Sequence, residues 1–143
     1  MKRKRFEPSI VAFTCNWCSY GGADLAGISR IQHPPNAKVI RLMCSGRVDP
    51  VMVIEAFKSG ADGVMITGCH IGDCHYATGN HRTEVRFQAL EMAMKTIGLA
   101  SERLKLLWAS ASEGQQWAEG ITEMTETIRP LGPNPLKVGG EVK

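Results

Sequence analysis

The chain has 143 residues, 43% of them hydrophobic and 22% charged, a composition that fits an ordinary globular domain with one buried core. Its net charge of +3 is too mild to argue for nucleic acid, and no apolar run approaches the ~18 residues of a membrane span. The basic start, Lys2 to Arg5, is followed by Glu7 and Pro8, and residues 10–13 are too few for the apolar core of a secretory signal. With five cysteines, an odd number, a disulfide framework is not expected, and the cytoplasm is the expected compartment.

Residues 1–8 read as a basic arm, either solvated or docked on an acidic partner. The first strand is predicted at residues 9–14 (SIVAFT), followed by a helix over about residues 22–32 that His33-Pro34-Pro35 closes. Residues 38–43 (KVIRLM) form the second strand. Asp49-Pro50 then supplies an N-cap and a first helical residue, and the helix runs to Gly60, a C-terminal cap. The third strand, residues 63–67 (GVMIT), is continuously apolar, as a parallel strand covered on both faces should be.

A third helix is expected from residue 80 or 81 to 97, with Phe87, Leu90, Met94 and Ile97 as its buried stripe and His81 in its first turn. Residues 104–108 (LKLLW) are the fourth strand. Ser110 to Glu113 resembles a capping box opening a helix whose Trp117, Ile121, Met124 and Ile128 share a face. The Pro- and Gly-rich residues 130–143 read as an extended tail, leaving residues 9–129 as a single domain.

Strands alternating with helices predict a doubly wound α/β sheet, mostly parallel, with the flavodoxin-like strand order 2-1-3-4. Ligands of such folds sit beyond the carboxyl ends of the strands, where strand order reverses. That place is occupied here by cysteines. Cys15 and Cys18 (TCNWCSYGG) follow the first strand, Cys44 (LMCSGR) the second, and Cys69 and Cys74 (TGCHIGDCHY) the third. The first turn has thiols and an indole where a dinucleotide site needs small glycines, and there is no phosphate-binding G-x-x-x-x-G-K-[ST] loop.

Converging thiolates select zinc, copper(I) or an iron–sulfur cluster. A structural zinc site belongs to small domains that need metal to fold, and this chain has enough periodic apolar sequence to fold alone. His70 and His75 each adjoin a cysteine, and adjacent side chains on an extended loop tend to point apart, so both are not expected to be ligands. They read as donors to cluster sulfurs or as surface residues. Arg41 and Arg47, either side of Cys44, are candidates for an electropositive surround, or surface ion-pair residues. His33 reads as a loop residue.

The runs CNWCSYGGADLAG, RLMCSGRVDP and GADGVMITGCHIGDCHYATGN resemble the delta subunit of methyl-viologen-reducing hydrogenase, over roughly residues 8–130. That protein accompanies heterodisulfide reductase in methanogenesis. The resemblance implies a non-catalytic electron-transfer subunit with one [2Fe–2S] cluster. It would pass electrons from a [NiFe] hydrogenase, or a formate dehydrogenase in its place, to the flavin subunit of heterodisulfide reductase.

Two thiolates per iron make Cys15 with Cys18 and Cys69 with Cys74 the simplest ligand set. Cys44 is then spare, or takes the place of Cys15. The alternatives are a stand-alone thiol/disulfide oxidoreductase using Cys15 and Cys18, or a zinc-stabilised interaction module. Trp17 and Tyr20 are expected to anchor a partner or to shield the cluster. Leu131, Leu136 and Val138 of the tail are expected to seat in a partner's groove.

Overall fold

The computed structural model describes residues 6–16, 19–29, 36–70, 79–110 and 112–136. Four strands alternate with four helices: β1 (Ile10–Cys15), α1 (Ser19–Ile28), β2 (Ala37–Leu42), α2 (Pro50–Lys58), β3 (Gly63–Gly68), α3 (Gly79–Thr96), β4 (Leu104–Trp108) and α4 (Gly114–Ile128). The sheet is parallel throughout with order β2-β1-β3-β4, the order expected. Parallel neighbours need crossover helices, and the helices divide between the two faces.

On one face α2 and α3 cover Phe13, Val64, Ile66 and Leu104, with Val53, Phe57, Leu90 and Met94 as their buried side chains. On the other, α1 and α4 cover Ile10, Ala12 and Met65 with Ala26, Trp117, Ile121, Met124 and Ile128. The predicted stripe of α4 is buried throughout. Burial on both faces explains why β3 reads as an unbroken apolar run, and β2, at the sheet edge, is largely exposed. Among the described residues no helix is long and apolar enough to cross a membrane.

Local signals set several boundaries. The Asp49 carboxylate accepts the Val51 N–H at 2.8 Å and Pro50 opens α2, while Gly60, at φ +114°, follows its end. Helix α1 starts at Ser19, three residues earlier than expected, and ends at Ile28. The expected closure at His33-Pro34-Pro35 lies outside the described residues. Helix α3 stops at Thr96, so Ile97 leaves the predicted stripe and is 46% exposed, and Thr83 takes a buried place at its other end.

The largest difference from expectation is at the end of the chain. Residues 130–136 are packed on the body instead of extending as a tail. Asn134 is buried, its amide donating to the Phe57 and Ala61 carbonyls at 2.8 and 2.9 Å. Its N–H donates to Asp62 Oδ1 at 3.0 Å, and Asp62 Oδ2 also accepts the Ser9 N–H at 2.9 Å. Buried Arg103 donates to the Asp62 carbonyl at 3.0 Å and to the Gly132 carbonyl at 2.9 Å. Burial lowers the Arg103 pKa, while the Asp62 charge acts against that fall. Leu136 packs against the first core cluster, so it is not available to a partner's groove, and Val138 lies outside the described residues.

Candidate metal centre

The sheet order brings thiols from distant parts of the chain to one end. The β1–β3 register runs to Thr14 opposite Thr67, so Cys15, the last residue of β1, and Cys69, the first after β3, stand just past it. Both are buried, and their Sγ atoms are 3.6 Å apart. Two thiolates on one tetrahedral metal, with bonds of about 2.3 Å, have sulfurs ~3.8 Å apart. The pair therefore fits a shared metal without rearrangement.

Cys44 leaves β2 two residues past Leu42, which pairs with Cys15. It precedes a short 3₁₀ turn (Ser45–Arg47), and its sulfur accepts the Gly46 N–H at 3.4 Å. The next residue ties this turn to the other thiols. Ser45 is buried against Gly68, where a Cβ would come within 2.6 Å of Ser45 Oγ and 2.9 Å of Trp108 Cζ3. Only a residue without a side chain lets the turn and the β4 indole close over the end of β3, just before Cys69. Neither Ser45 nor Gly68 stood out in the sequence beyond being polar or small.

Helix α3 holds the turn from outside. Thr83 Oγ1 donates to Ser45 Oγ at 2.9 Å, both groups buried. The Arg86 guanidinium donates to the Gly46 carbonyl at 2.5 Å and the Val48 carbonyl at 3.4 Å. Neither residue was picked out by sequence reasoning, because their targets are backbone groups and a hydroxyl roughly 40 residues away.

Of the four residues expected around the thiols, His70 has a defined place: its Nε2 is hydrogen-bonded to Glu113 Oε1. Glu113 also accepts the Ser110 N–H at 2.8 Å, the return half of the predicted capping box, although α4 itself begins at Gly114. The Ser110 N–H and then His70 hold the Glu113 carboxyl below the usual carboxylate range. A depressed carboxylate pKa gives stability that is present above the ordinary value and is lost as pH falls through the native one. Wild-type protein should thus lose its stability margin over Glu113→Gln as pH falls below about 4.5, read as converging thermal midpoints between pH 7 and pH 3.

Arg41 is exposed and lies over the ring of half-buried Tyr20, 5.0 Å from its centroid. Arg47 is exposed. Cys18, Cys74, His75, Trp17 and His33 lie outside the described residues, so the full ligand set is not assembled among the described ones. Among those residues no group of three or more Cys, His, Asp or Glu side chains closes on one metal position.

The architecture is that of a doubly wound α/β domain with a pair of cysteines at the carboxyl ends of its two central strands. The family model described as methyl-viologen-reducing hydrogenase, delta subunit, matches residues 10–132, and the chain belongs to that family. It is 47% identical over 134 residues to the iron-sulfur subunit of the vhc F420-non-reducing hydrogenase of Methanococcus voltae, covering 94% of this chain and 93% of that protein. It is 49% identical over 130 residues to the F420-non-reducing hydrogenase iron-sulfur subunit of Archaeoglobus profundus, covering 91% and 95%. A third relative is larger. It belongs to the Ferredoxin:CoB-CoM heterodisulfide reductase of Methanosarcina mazei and is 48% identical over 136 residues, which are 95% of this chain but 17% of that protein.

Proposed function

We propose that the chain is an electron-transfer subunit carrying one [2Fe–2S] cluster in the crevice past β1 and β3. The 3.6 Å approach of Cys15 Sγ to Cys69 Sγ carries this reading. When bound, the cluster supplies one-electron redox chemistry, and the protein sets its potential through burial, charge and hydrogen bonds to sulfur. Relatives named as iron-sulfur subunits over almost their whole length support the cofactor.

The close pair also favours a different sharing of the irons from the one that sequence order suggests. Thiolates on opposite irons stand farther apart than those on one iron, so Cys15 and Cys69 share an iron in this reading. The second iron draws its two thiolates from Cys18, Cys44 and Cys74. What the described residues contribute is position. Thr67 Oγ1 donates to the Phe13 carbonyl at 3.1 Å, bracing the two strand ends that present the pair, and both core clusters make that frame independent of metal.

The electron donor in this account is a [NiFe] hydrogenase or a formate dehydrogenase, and the acceptor is the flavin subunit of heterodisulfide reductase. One relative of this chain is part of a longer heterodisulfide reductase polypeptide, and another stands alone as a hydrogenase subunit. A domain that can share one polypeptide with heterodisulfide reductase is suited to dock on that enzyme. The dithiol oxidoreductase reading fits less well, because Cys15 is buried beside Cys69 and is closed to a protein disulfide.

Co-expression with the flavin subunit of heterodisulfide reductase under anaerobic conditions, followed by affinity purification, tests the placement. A stable complex whose flavin is reduced through the bound chain, once a [NiFe] hydrogenase under hydrogen is added as electron donor, is the expected result. Flavin reduction at an equal rate without the chain would contradict it.

A further inference from the structure

Cys44 differs from a thiol that merely happens to lie near the site, in that three independent contacts fix its turn. The Gly46 N–H is aimed at its sulfur, at 3.4 Å. Thr83 holds Ser45, the residue next to Cys44, by a buried hydroxyl pair at 2.9 Å. Arg86 donates to the carbonyl of Gly46, within the same turn, and to that of Val48, the residue that follows it. Ser45 is at the same time wedged against Gly68, the residue before Cys69.

A buried hydroxyl pair contributes little net stability, but it is directional, and a lost partner is costly. An Arg that donates to two carbonyls of one turn likewise fixes that turn's orientation. The consequence of both is to hold one amide N–H on one sulfur. Hydrogen bonds to sulfur are among the means by which a protein sets the potential of an iron–sulfur cluster.

We infer that Thr83 and Arg86 of α3 are positioning residues for Cys44, clamping its turn so that Cys44 serves as a cluster ligand carrying an N–H···S bond and is not a spare thiol. This inference rests on the cluster reading above and assigns a third member of the ligand set. Cys18 and Cys74 then supply the remaining thiolate and the unused one. The clamp works through the 45–47 turn, so neither Thr83 nor Arg86 touches the metal.

The test uses the full chain, purified anaerobically and loaded with iron and sulfide. Thr83→Val keeps the volume and removes the hydroxyl; Thr83→Ser restores it. Arg86→Gln removes the charged fork from an exposed site and carries the test if Thr83→Val fails to fold. Iron retained against a chelator should fall about tenfold in Thr83→Val and Arg86→Gln, the usual scale for a residue supporting a ligand. The midpoint potential should shift negative in both, because a reduced cluster is stabilised by the N–H···S bond. Thr83→Ser should recover the wild-type values, and Cys44→Ser should lose the native spectrum. A Cys44→Ser protein with wild-type iron and spectrum would overturn the inference while leaving the cluster reading intact. So would clamp variants that unfold more easily yet keep the wild-type potential. A wild-type chain that takes up no iron would remove the cluster reading and this inference together.

Discussion

Asp62→Ala should cost roughly 3 kcal/mol of folding stability, because the carboxylate satisfies two N–H groups and sits near a buried guanidinium. Removing it orphans the Ser9 and Asn134 amides and leaves the Arg103 charge in a desolvated place without its counter-charge. The stitch also joins the start of β1, the loop before β3 and the end of the chain, so all three loosen together. Asp62→Asn keeps an acceptor and should cost less. Urea unfolding followed by circular dichroism measures both. A loss under about 1 kcal/mol for Asp62→Ala, typical of an ordinary surface change, would mean that the network is not what pins residues 130–136.

Cys15→Ser and Cys69→Ser should each lower bound iron at least tenfold, and by the same amount, because in the proposed site both sulfurs serve one iron. The double variant should then be no worse than either single one, since removing the second member of a broken pair takes nothing more away. Far-ultraviolet circular dichroism should stay close to wild type in all three. The apolar stripes of α2, α3 and α4 pack on both faces of the sheet, so secondary structure should not depend on metal. If the cysteines belonged to different irons, the two single variants would be free to differ in what each retains, and a partly loaded species should survive in one of them. Loss of most helical signal in either variant would point to a fold built around the metal.

Much of the frame was legible in the chain because punctuation and periodicity agreed. Asp49-Pro50, Gly60 and the stripe from Trp117 to Ile128 each have a local physical cause, and each falls where expected. What failed to show had causes outside the local sequence. Helix α1 contains Gly21, Gly22 and Gly27, poor helix formers, so propensity gave no clear signal for its start, while Ala23 and Ala26 pack in the second core cluster. Residues 130–136 look like a tail by composition. Asn134 makes them part of the body by serving, from a side chain, carbonyls at the end of α2.

The site was legible as a set of residue types, not as a geometry. Five thiols after three strands announce soft-metal chemistry, and the 2-1-3-4 order brings β1 and β3 side by side. Nothing in Cys-x-x-Cys spacing says that Cys15 meets Cys69, 54 positions away. The residues that orient the Cys44 turn were invisible for the same reason: Thr83 and Arg86 act on backbone and hydroxyl groups that only the folded crossover brings to α3. Glu113 was visible as a helix cap but not as the partner of His70.

The central claim is that the crevice past β1 and β3 holds a two-iron cluster. Anaerobic purification followed by iron, inorganic sulfide and zinc determination, together with the visible spectrum, measures it directly. The account predicts brown protein with charge-transfer bands, about two irons and two sulfides per chain and no zinc. Colourless protein with stoichiometric zinc, or with no metal and accessible thiols, would contradict it.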